Sequence, residues 1–262
     1  MSDEKAMSGE KVMNDNKIDS YKRRFLAQSA AITGAAALGG GLVLTRVAQA
    51  RPAGQAVSSE NRWGLLIDTR KCASDCDACV QACEMEHGWG RGSNDEQRSS
   101  PAQKAQWIRK VTLRDRTTGH ETSLPMMCQH CAHPPCVDVC PTGASMKRDD
   151  GIVLVDKHRC IGCRYCMMAC PYKARSFIHE DLHGQKTESP RGKGTVESCN
   201  LCVHRVDQGK IPACAEACPE KAILFGDLKD ADSEIARRLA SEPSTEIRGD
   251  LRLDLGVHYQ NI

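Results

Sequence analysis

Cysteine is the residue type in this chain with the clearest chemical signature. The sixteen cysteines fall into four groups of four with none left over. In chain order the groups are Cys72, Cys76, Cys79 and Cys83; Cys128, Cys131, Cys136 and Cys140; Cys160, Cys163, Cys166 and Cys170; and Cys199, Cys202, Cys214 and Cys218. So many cysteines indicate disulfides, zinc or iron-sulfur ligation, and spacing distinguishes these three chemistries.

The third group has the most specific pattern. It reads C-x2-C-x2-C-x3-C-P, the run that binds a 4Fe-4S cluster in bacterial ferredoxins. Two-residue spacers let one tight loop place three thiolates on three irons of a cube. We expect the fourth cysteine, Cys170, at the start of a short helical stretch that Pro171 ends. In two-cluster ferredoxins this last cysteine serves the neighbouring cluster, so a single motif would be incomplete.

The second group is a variant of the third, with two extra residues before its third cysteine. A predicted hairpin, with a turn at residues 149–151 and a strand at 152–155, connects these two groups. Groups two and three therefore form one predicted ferredoxin-like unit.

Groups one and four form a second predicted unit. Group one follows a predicted strand at residues 63–68, and group four precedes another at 222–225. The predicted fold is α+β: two interlocked 2×(4Fe-4S) ferredoxin-like units, with short strands and helices and long loops around four clusters. One unit covers about residues 60–115 and 190–228, the other about 116–189, and a C-terminal extension covers 229–262.

Three other cysteine chemistries fit less well. The pairs Cys199/Cys202 and Cys214/Cys218 resemble a zinc site, but zinc gives no reason for a last cysteine before proline in three groups. Disulfides suit an exported chain, yet C-x2-C pairs are cramped for them. Covalent c-type haem is excluded because no C-x2-C pair is followed directly by histidine.

Other polar residues near the cysteines are more ambiguous. His130 and His133, inside group two, are predicted to be solvated loop residues, with hydrogen bonding to sulfur as the alternative. The basic residues around group three either offset the negative charge of thiolate-bound clusters or form a solvated face; they are Lys157, Arg159, Arg164, Lys173 and Arg175.

Residues 1–50 are predicted to be a targeting segment. A polar stretch leads to Arg23-Arg24-Phe25-Leu26, a weakly apolar run at 27–44 and a small-x-small site ending at Ala50. This order resembles a twin-arginine signal, with cleavage after Ala50; an uncleaved membrane anchor is the alternative. A cluster is assembled with the fold around it, so export of a folded protein agrees with iron-sulfur ligation. The signal also predicts that the mature protein functions on the outer, periplasmic face of the cytoplasmic membrane.

Charge and motifs exclude several functions. Beyond residue 50 the chain has 29 basic and 29 acidic residues, so no basic footprint for nucleic acid remains. No Ser/His/Asp set, Walker loop or G-x-G-x-x-G is present. We therefore predict a non-catalytic electron-transfer subunit without a small-molecule substrate of its own.

The order and spacing of all sixteen cysteines resemble the four-cluster iron-sulfur subunits of membrane oxidoreductases, which include those of dimethyl sulfoxide, polysulfide and tetrathionate reductases. Segments 170–177, 190–207 and 256–260 are similar to the DsrO family, the periplasmic iron-sulfur subunits of Dsr transmembrane complexes. The resemblance covers about residues 60–262.

The resemblance implies a ligand exchange between groups. Three cysteines of each group would bind one cluster, and the fourth cysteine would bind the cluster of the paired group. The implied sets are Cys72, Cys76, Cys79 with Cys218; Cys199, Cys202, Cys214 with Cys83; Cys128, Cys131, Cys136 with Cys170; and Cys160, Cys163, Cys166 with Cys140.

The resemblance also implies partners. They are an integral quinone-interacting membrane subunit, a multihaem cytochrome c and, through the complex, cytoplasmic subunits linked to sulfur-carrier chemistry. Two alternatives remain: the relay subunit of a molybdopterin oxidoreductase, and a cluster-bearing sensor or structural zinc protein.

Overall fold

The computed structural model describes residues 57–90, 100 and 103–262. The predicted targeting segment, residues 1–50, lies outside these ranges. Helices and small sheets are mixed along the described chain, in agreement with the predicted α+β class. Among the described residues, no helix combines the length and apolar character that crossing a membrane requires.

The elements are short and separated by long loops. The strands are β1 (Trp63–Asp68), β2 (Ile108–Arg114), β3 (Glu121–Met127), β4 (Ser145–Lys147), β5 (Val153–Val155), β6 (Ser176–Phe177), β7 (Val196–Glu197), β8 (Ile223–Asp227) and β9 (Val257–Gln260). The α-helices are α1 (Ala78–His87), α2 (Pro135–Asp138), α3 (Tyr165–Ala169), α4 (Val203–Val206), α5 (Ala213–Glu216) and α6 (Glu234–Ser241).

The three-stranded sheet has the order β8-β1-β9. Its centre, β1, confirms the strand predicted at residues 63–68, and Leu65, Leu66 and Ile67 are almost fully buried. Burial on both faces explains why this strand reads as an apolar run rather than an alternating pattern. β8 pairs antiparallel with β1, while β9 pairs parallel with it, so the C-terminal extension completes this sheet.

Three hairpin-like pairs hold the cysteine loops. β4 and β5 pair antiparallel around Gly151, which confirms the predicted hairpin between groups two and three. β2 and β3 pair across the predicted unit boundary at 115/116. β6 pairs with β7, and this pairing connects residues of the two predicted units by backbone hydrogen bonds.

The expected position of Cys170 is wrong. The helix lies before this cysteine, not after it: α3 ends at Ala169, and Cys170 has an extended conformation with φ −79° and ψ 110°. The cause is Pro171, because the residue before a proline is disfavoured in the α region. The extended backbone lets the last cysteine leave its own loop.

Gly162, inside the third cysteine group, enables a close approach of two backbones. Its φ is +71°, and a Cβ atom there would collide with the carbonyl oxygen of Gly194. We expect Gly162→Ala to destabilise the fold by about 1–3 kcal/mol through backbone strain, with additional displacement of the loop that carries Cys160 and Cys163. Iron content and denaturant unfolding of the anaerobic protein measure both effects.

Gly119 provides the matched control for that substitution. Its φ is +73°, but nothing lies within 4 Å of a Cβ atom there. Gly119→Ala should therefore show only the conformational cost, and equal losses in the two variants would contradict the close-approach argument.

Candidate metal centres

The structure brings the sixteen cysteines together in four sets, each with three members from one group and one from another. We call them set A (Cys72, Cys76, Cys79, Cys218), set B (Cys83, Cys199, Cys202, Cys214), set C (Cys128, Cys131, Cys136, Cys170) and set D (Cys140, Cys160, Cys163, Cys166). All sixteen thiols are free of disulfides.

Sets A and B line two neighbouring clefts. All four cysteines of set A surround one cleft, together with Pro125 and Ile223. All four of set B line another, whose walls include Leu65 and Met127 of β1 and β3. Cys83 and Cys218 each leave their own sequence group to line the other group's cleft.

Sets C and D repeat this arrangement with groups two and three. The set C cysteines pack against one apolar core cluster with Tyr172 and Val196, which also contacts Cys160, Cys166 and Cys199 of other sets. Within set C, burial raises the pKa of Cys128 and Cys131, and Cys136 and Cys170 also contribute to raising the pKa of both. The four cysteines of set D line a cleft with Ile161 and Val155. Cys170 and Cys140 are the exchanged members.

Electrostatic contacts between the sets define a linear order. Burial, then Cys202, then Cys79 of set A raise the pKa of Cys214. Burial, then Cys214, then Cys128 of set C raise the pKa of Cys199. Burial is the largest cause of the raised pKa of Cys136 in set C, and Cys166 of set D also contributes to raising it. Set A is therefore a neighbour of set B, set B of set C, and set C of set D. We call this order of neighbours the row.

The cysteines of sets B and C are more buried than those of set D. Cys83, Cys202 and Cys214 of set B are buried, as are Cys128, Cys131 and Cys136 of set C. Cys163 of set D is the exposed member among the sixteen. Set D is thus the set that contains an exposed cysteine, whereas three of the four cysteines in each of sets B and C are buried.

The buried thiols make a donor set that requires positive charge. Burial raises the pKa of Cys79 and Cys202 to about 11, and that of Cys128 and Cys131 to about 12. After burial, neighbouring cysteines of the same set contribute to the raised pKa of Cys79 and of Cys131. Four thiolates can therefore share one cleft only with compensating cations, and soft sulfur donors in this arrangement fit the irons of a 4Fe-4S cluster.

The residues do not converge on a single ion. In residues 57–90, 100 and 103–262, no three His, Cys, Asp or Glu side chains are placed to bind one common metal ion.

Side-chain donors contact the sulfurs of sets A, B and C. Lys110 Nζ donates to Cys72 Sγ at 2.9 Å in set A, and Arg175 Nη2 donates to Cys136 Sγ at 3.1 Å in set C. In set B, Trp89 Nε1 donates to Cys83 Sγ at 3.3 Å, and His87 Nε2 lies 3.2 Å from Cys202 Sγ. These contacts can stabilise the more negative, reduced form of a cluster.

Set D has a backbone donor and a hydroxyl near one of its sulfurs. Ser145 N donates to Cys140 Sγ at 3.3 Å, and the Thr142 hydroxyl lies 3.7 Å from the same sulfur. The buried Arg175 side chain also interacts with Cys166 of set D, through its charge and a side-chain hydrogen bond, so sets C and D share this cationic donor.

Of the five basic residues predicted around group three, Arg175 contacts sulfur. Its side chain is buried and also donates to Ser145 Oγ at 2.9 Å. Lys157 donates to Val196 O at 2.9 Å, and burial lowers its pKa to about 8. Arg159, Arg164 and Lys173 belong to the exposed face that was the alternative.

The prediction for His130 is wrong, whereas His133 is exposed as predicted. His130 is almost fully buried, and its Nδ1 accepts a hydrogen bond from Val153 N at 3.0 Å. Burial, then the charges of Arg62 and Arg175, lower its pKa to about 3, so the ring is neutral. It fixes the second cysteine loop to β5 rather than facing water.

Sequence reasoning also missed His87, Trp89 and Lys110. His87 and Trp89 follow Cys83 closely, so an aromatic N–H just after a cysteine group was an available signal. Lys110 is 38 residues from Cys72, and only the tertiary fold brings the two together.

Comparisons with known proteins agree with this chemistry. Residues 120–228 match the model of a protein family that is described as a 4Fe-4S dicluster domain. The chain is 37% identical to the Hdr-like menaquinol oxidoreductase iron-sulfur subunit 1 of Archaeoglobus fulgidus, over 92% of this chain and 98% of that protein. It is 36% identical to a tetrathionate reductase subunit of Salmonella typhimurium, over 85% of this chain and 80% of that protein.

A third relative is a sulfite dehydrogenase subunit of Allochromatium vinosum, 39% identical over 66% of this chain and 71% of that protein. These alignments extend over most of the length of each relative. The residues that match the family model contain cysteine groups two, three and four. The chain therefore belongs to the family of 4Fe-4S-binding, electron-transferring iron-sulfur subunits of oxidoreductases.

Proposed function

We propose that this chain binds four 4Fe-4S clusters, one in each of sets A to D, and transfers electrons along the row that they form. The observation that carries this proposal is the grouping of sixteen cysteines into four exchanged sets of four. When bound, the clusters supply one-electron redox chemistry. The chain holds them close together, shields sets B and C from water, and directs hydrogen-bond donors at their sulfurs.

We propose further that the chain is a non-catalytic subunit of a Dsr-type sulfur-metabolism complex, in the position of DsrO. There it would pass electrons between an integral membrane subunit that reacts with quinone and a multihaem cytochrome c, with sulfur-carrier-linked subunits on the cytoplasmic side. The Archaeoglobus relative, whose name refers to menaquinol, supports this choice because it aligns over 98% of its length. The segments similar to DsrO support it independently.

We also propose that the protein works in the periplasm after export in folded form, bound to the membrane through its partners. The twin-arginine-like order at residues 23–26 supports this location. Fractionation of cells into periplasm, membrane and cytoplasm tests it directly.

The set D end of the row has features suited to partner docking. Ile161, Tyr165 and Met168 are exposed around Cys163, with 66%, 54% and 74% of their surfaces accessible. Exposed apolar groups gathered in one place mark interaction sites more often than isolated ones do. An electron entering or leaving at set D would cross only this rim.

A second function is favoured by the tetrathionate reductase relative: the relay subunit of a molybdopterin oxidoreductase. Affinity purification of the tagged chain from anaerobic membranes distinguishes the two. We expect a multihaem cytochrome c and an integral membrane subunit to co-purify, and added menaquinol to reduce the clusters. Recovery of a large molybdopterin subunit would favour the second function, and recovery of the chain alone would contradict both.

A further inference from the structure

His87 is the last residue of α1, four residues after Cys83, and its side chain is 1% exposed. Its two ring nitrogens have different partners. Nε2 lies 3.2 Å from Cys202 Sγ of set B, and Nδ1 lies 2.8 Å from Ser189 Oγ. One imidazole thus connects a cysteine of a candidate centre to a distant hydroxyl.

The chemistry of the partners fixes the tautomer. A metal-bound thiolate has no proton and can only accept a hydrogen bond, so Nε2 must carry the hydrogen. Nδ1 then accepts from the Ser189 hydroxyl, the other group in reach. Ser189 is 3% exposed, and its backbone N–H donates to Lys186 O at 3.2 Å, so the hydroxyl is well positioned.

Packing fixes the orientation of the ring. The Trp107 ring lies 4.3 Å from the imidazole, centroid to centroid, and His204 meets it edge-on at 5.4 Å. Gly88 then turns the chain in a left-handed conformation, so that Trp89 reaches Cys83 of the same set. The segment His87-Gly88-Trp89 therefore aims two ring N–H groups at two sulfurs of set B.

We infer that His87 is a positioning residue that raises the reduction potential of the cluster in set B, with Ser189 holding it in the donating tautomer. This inference rests on the proposed function and deepens it. Reduction adds negative charge that spreads onto the cluster sulfurs, and an N–H aimed at a sulfur stabilises that reduced state. Removing the donor must lower the potential of this one cluster.

The test is a redox titration, followed by electron paramagnetic resonance, of the anaerobically purified holoprotein. His87→Phe keeps a ring of similar size and removes the donor. We expect one midpoint to fall, with the reduced-to-oxidised ratio at fixed potential changing about tenfold, which is ~59 mV for a one-electron couple. The other three midpoints should stay in place, and His87→Gln, whose amide also donates, should recover part of the shift.

Two further variants assign the shift to set B. Trp89→Phe removes the other ring donor and should move the same midpoint in the same direction. Ser189→Ala leaves the imidazole in place but removes the hydroxyl that holds it in the tautomer with the hydrogen on Nε2. This variant should give a smaller shift of the same midpoint. His120→Phe, at an exposed histidine outside the four cysteine groups, is the control and should leave all midpoints unchanged.

The outcomes are separable. If His87→Phe retains its clusters and all midpoints match the parent protein, the role of His87 is overturned. If that variant loses a cluster, Ser189→Ala decides, and unchanged midpoints in it overturn the role. If the parent protein contains no clusters, the proposed function itself fails.

Discussion

Cys199→Ser removes one complete cluster, about four irons per chain, and interrupts electron transfer between the ends of the row. Cys199 packs against both of the large groups of apolar core side chains. After burial, Cys214 of set B and Cys128 of set C raise its pKa, so Cys199 lies where these two sets meet. A serine hydroxyl is not ionised at neutral pH and offers hard oxygen in place of soft sulfur. Because cluster binding and folding are coupled, we also expect lower stability.

Ser198→Ala is the matched control for this substitution. Ser198 is the adjacent residue, is buried, and belongs to none of the cysteine sets. Iron and sulfide analysis of both variants measures the effect. A Cys199→Ser protein with the full iron content and four spectroscopic components would contradict its assignment as a ligand.

Glu197→Gln is expected to destabilise the folded protein by about 3–5 kcal/mol. Arg191 Nε donates to both carboxylate oxygens of Glu197 at 3.1 Å, and the side chains of this ion pair are 1% and 0% exposed. Trp107 Nε1 donates to the same carboxylate at 3.0 Å. Neutralising the carboxylate leaves the buried guanidinium without a counter-ion, which costs far more than the loss of one hydrogen bond.

The exposed pair Arg248 and Asp250 provides the control. Their side chains are 53% and 62% exposed, with the nitrogen and oxygen 2.9 Å apart. Asp250→Asn should therefore change the free energy of unfolding by less than about 1 kcal/mol. Denaturant unfolding of the anaerobic proteins compares the two, and similar small losses would show that the buried pair does not support the fold.

Local patterns predicted the ligand chemistry well, because ferredoxin-type loops encode it within a few residues. The apolar run at 63–68 predicted β1 for a similar reason: a strand buried on both faces has a continuous apolar sequence. The cysteines that share a cleft have the membership that the family resemblance implied for sets A, B and D, and their role as cluster ligands stays a prediction. The Cys170 error was avoidable, since Pro171 itself disfavours a helix at that residue.

Long-range contacts could not be read in the same way. β9 lies beside β1 although Val257 and Leu65 are far apart in sequence, and nothing local in either segment specifies that parallel pairing. His130 is buried because β5 supplies a backbone donor from Val153. Lys110 reaches Cys72 only after β2 has folded against the first cysteine group. Donors of this kind tune a cluster without leaving a sequence motif.

The central claim is that four exchanged cysteine sets hold four cubes. Native mass spectrometry of the anaerobically purified chain, combined with iron and acid-labile sulfide analysis, tests it most directly. We expect a holoprotein mass with about sixteen irons and about sixteen sulfides per chain. A folded chain that contains zinc instead, or that is compact with no iron, would contradict it.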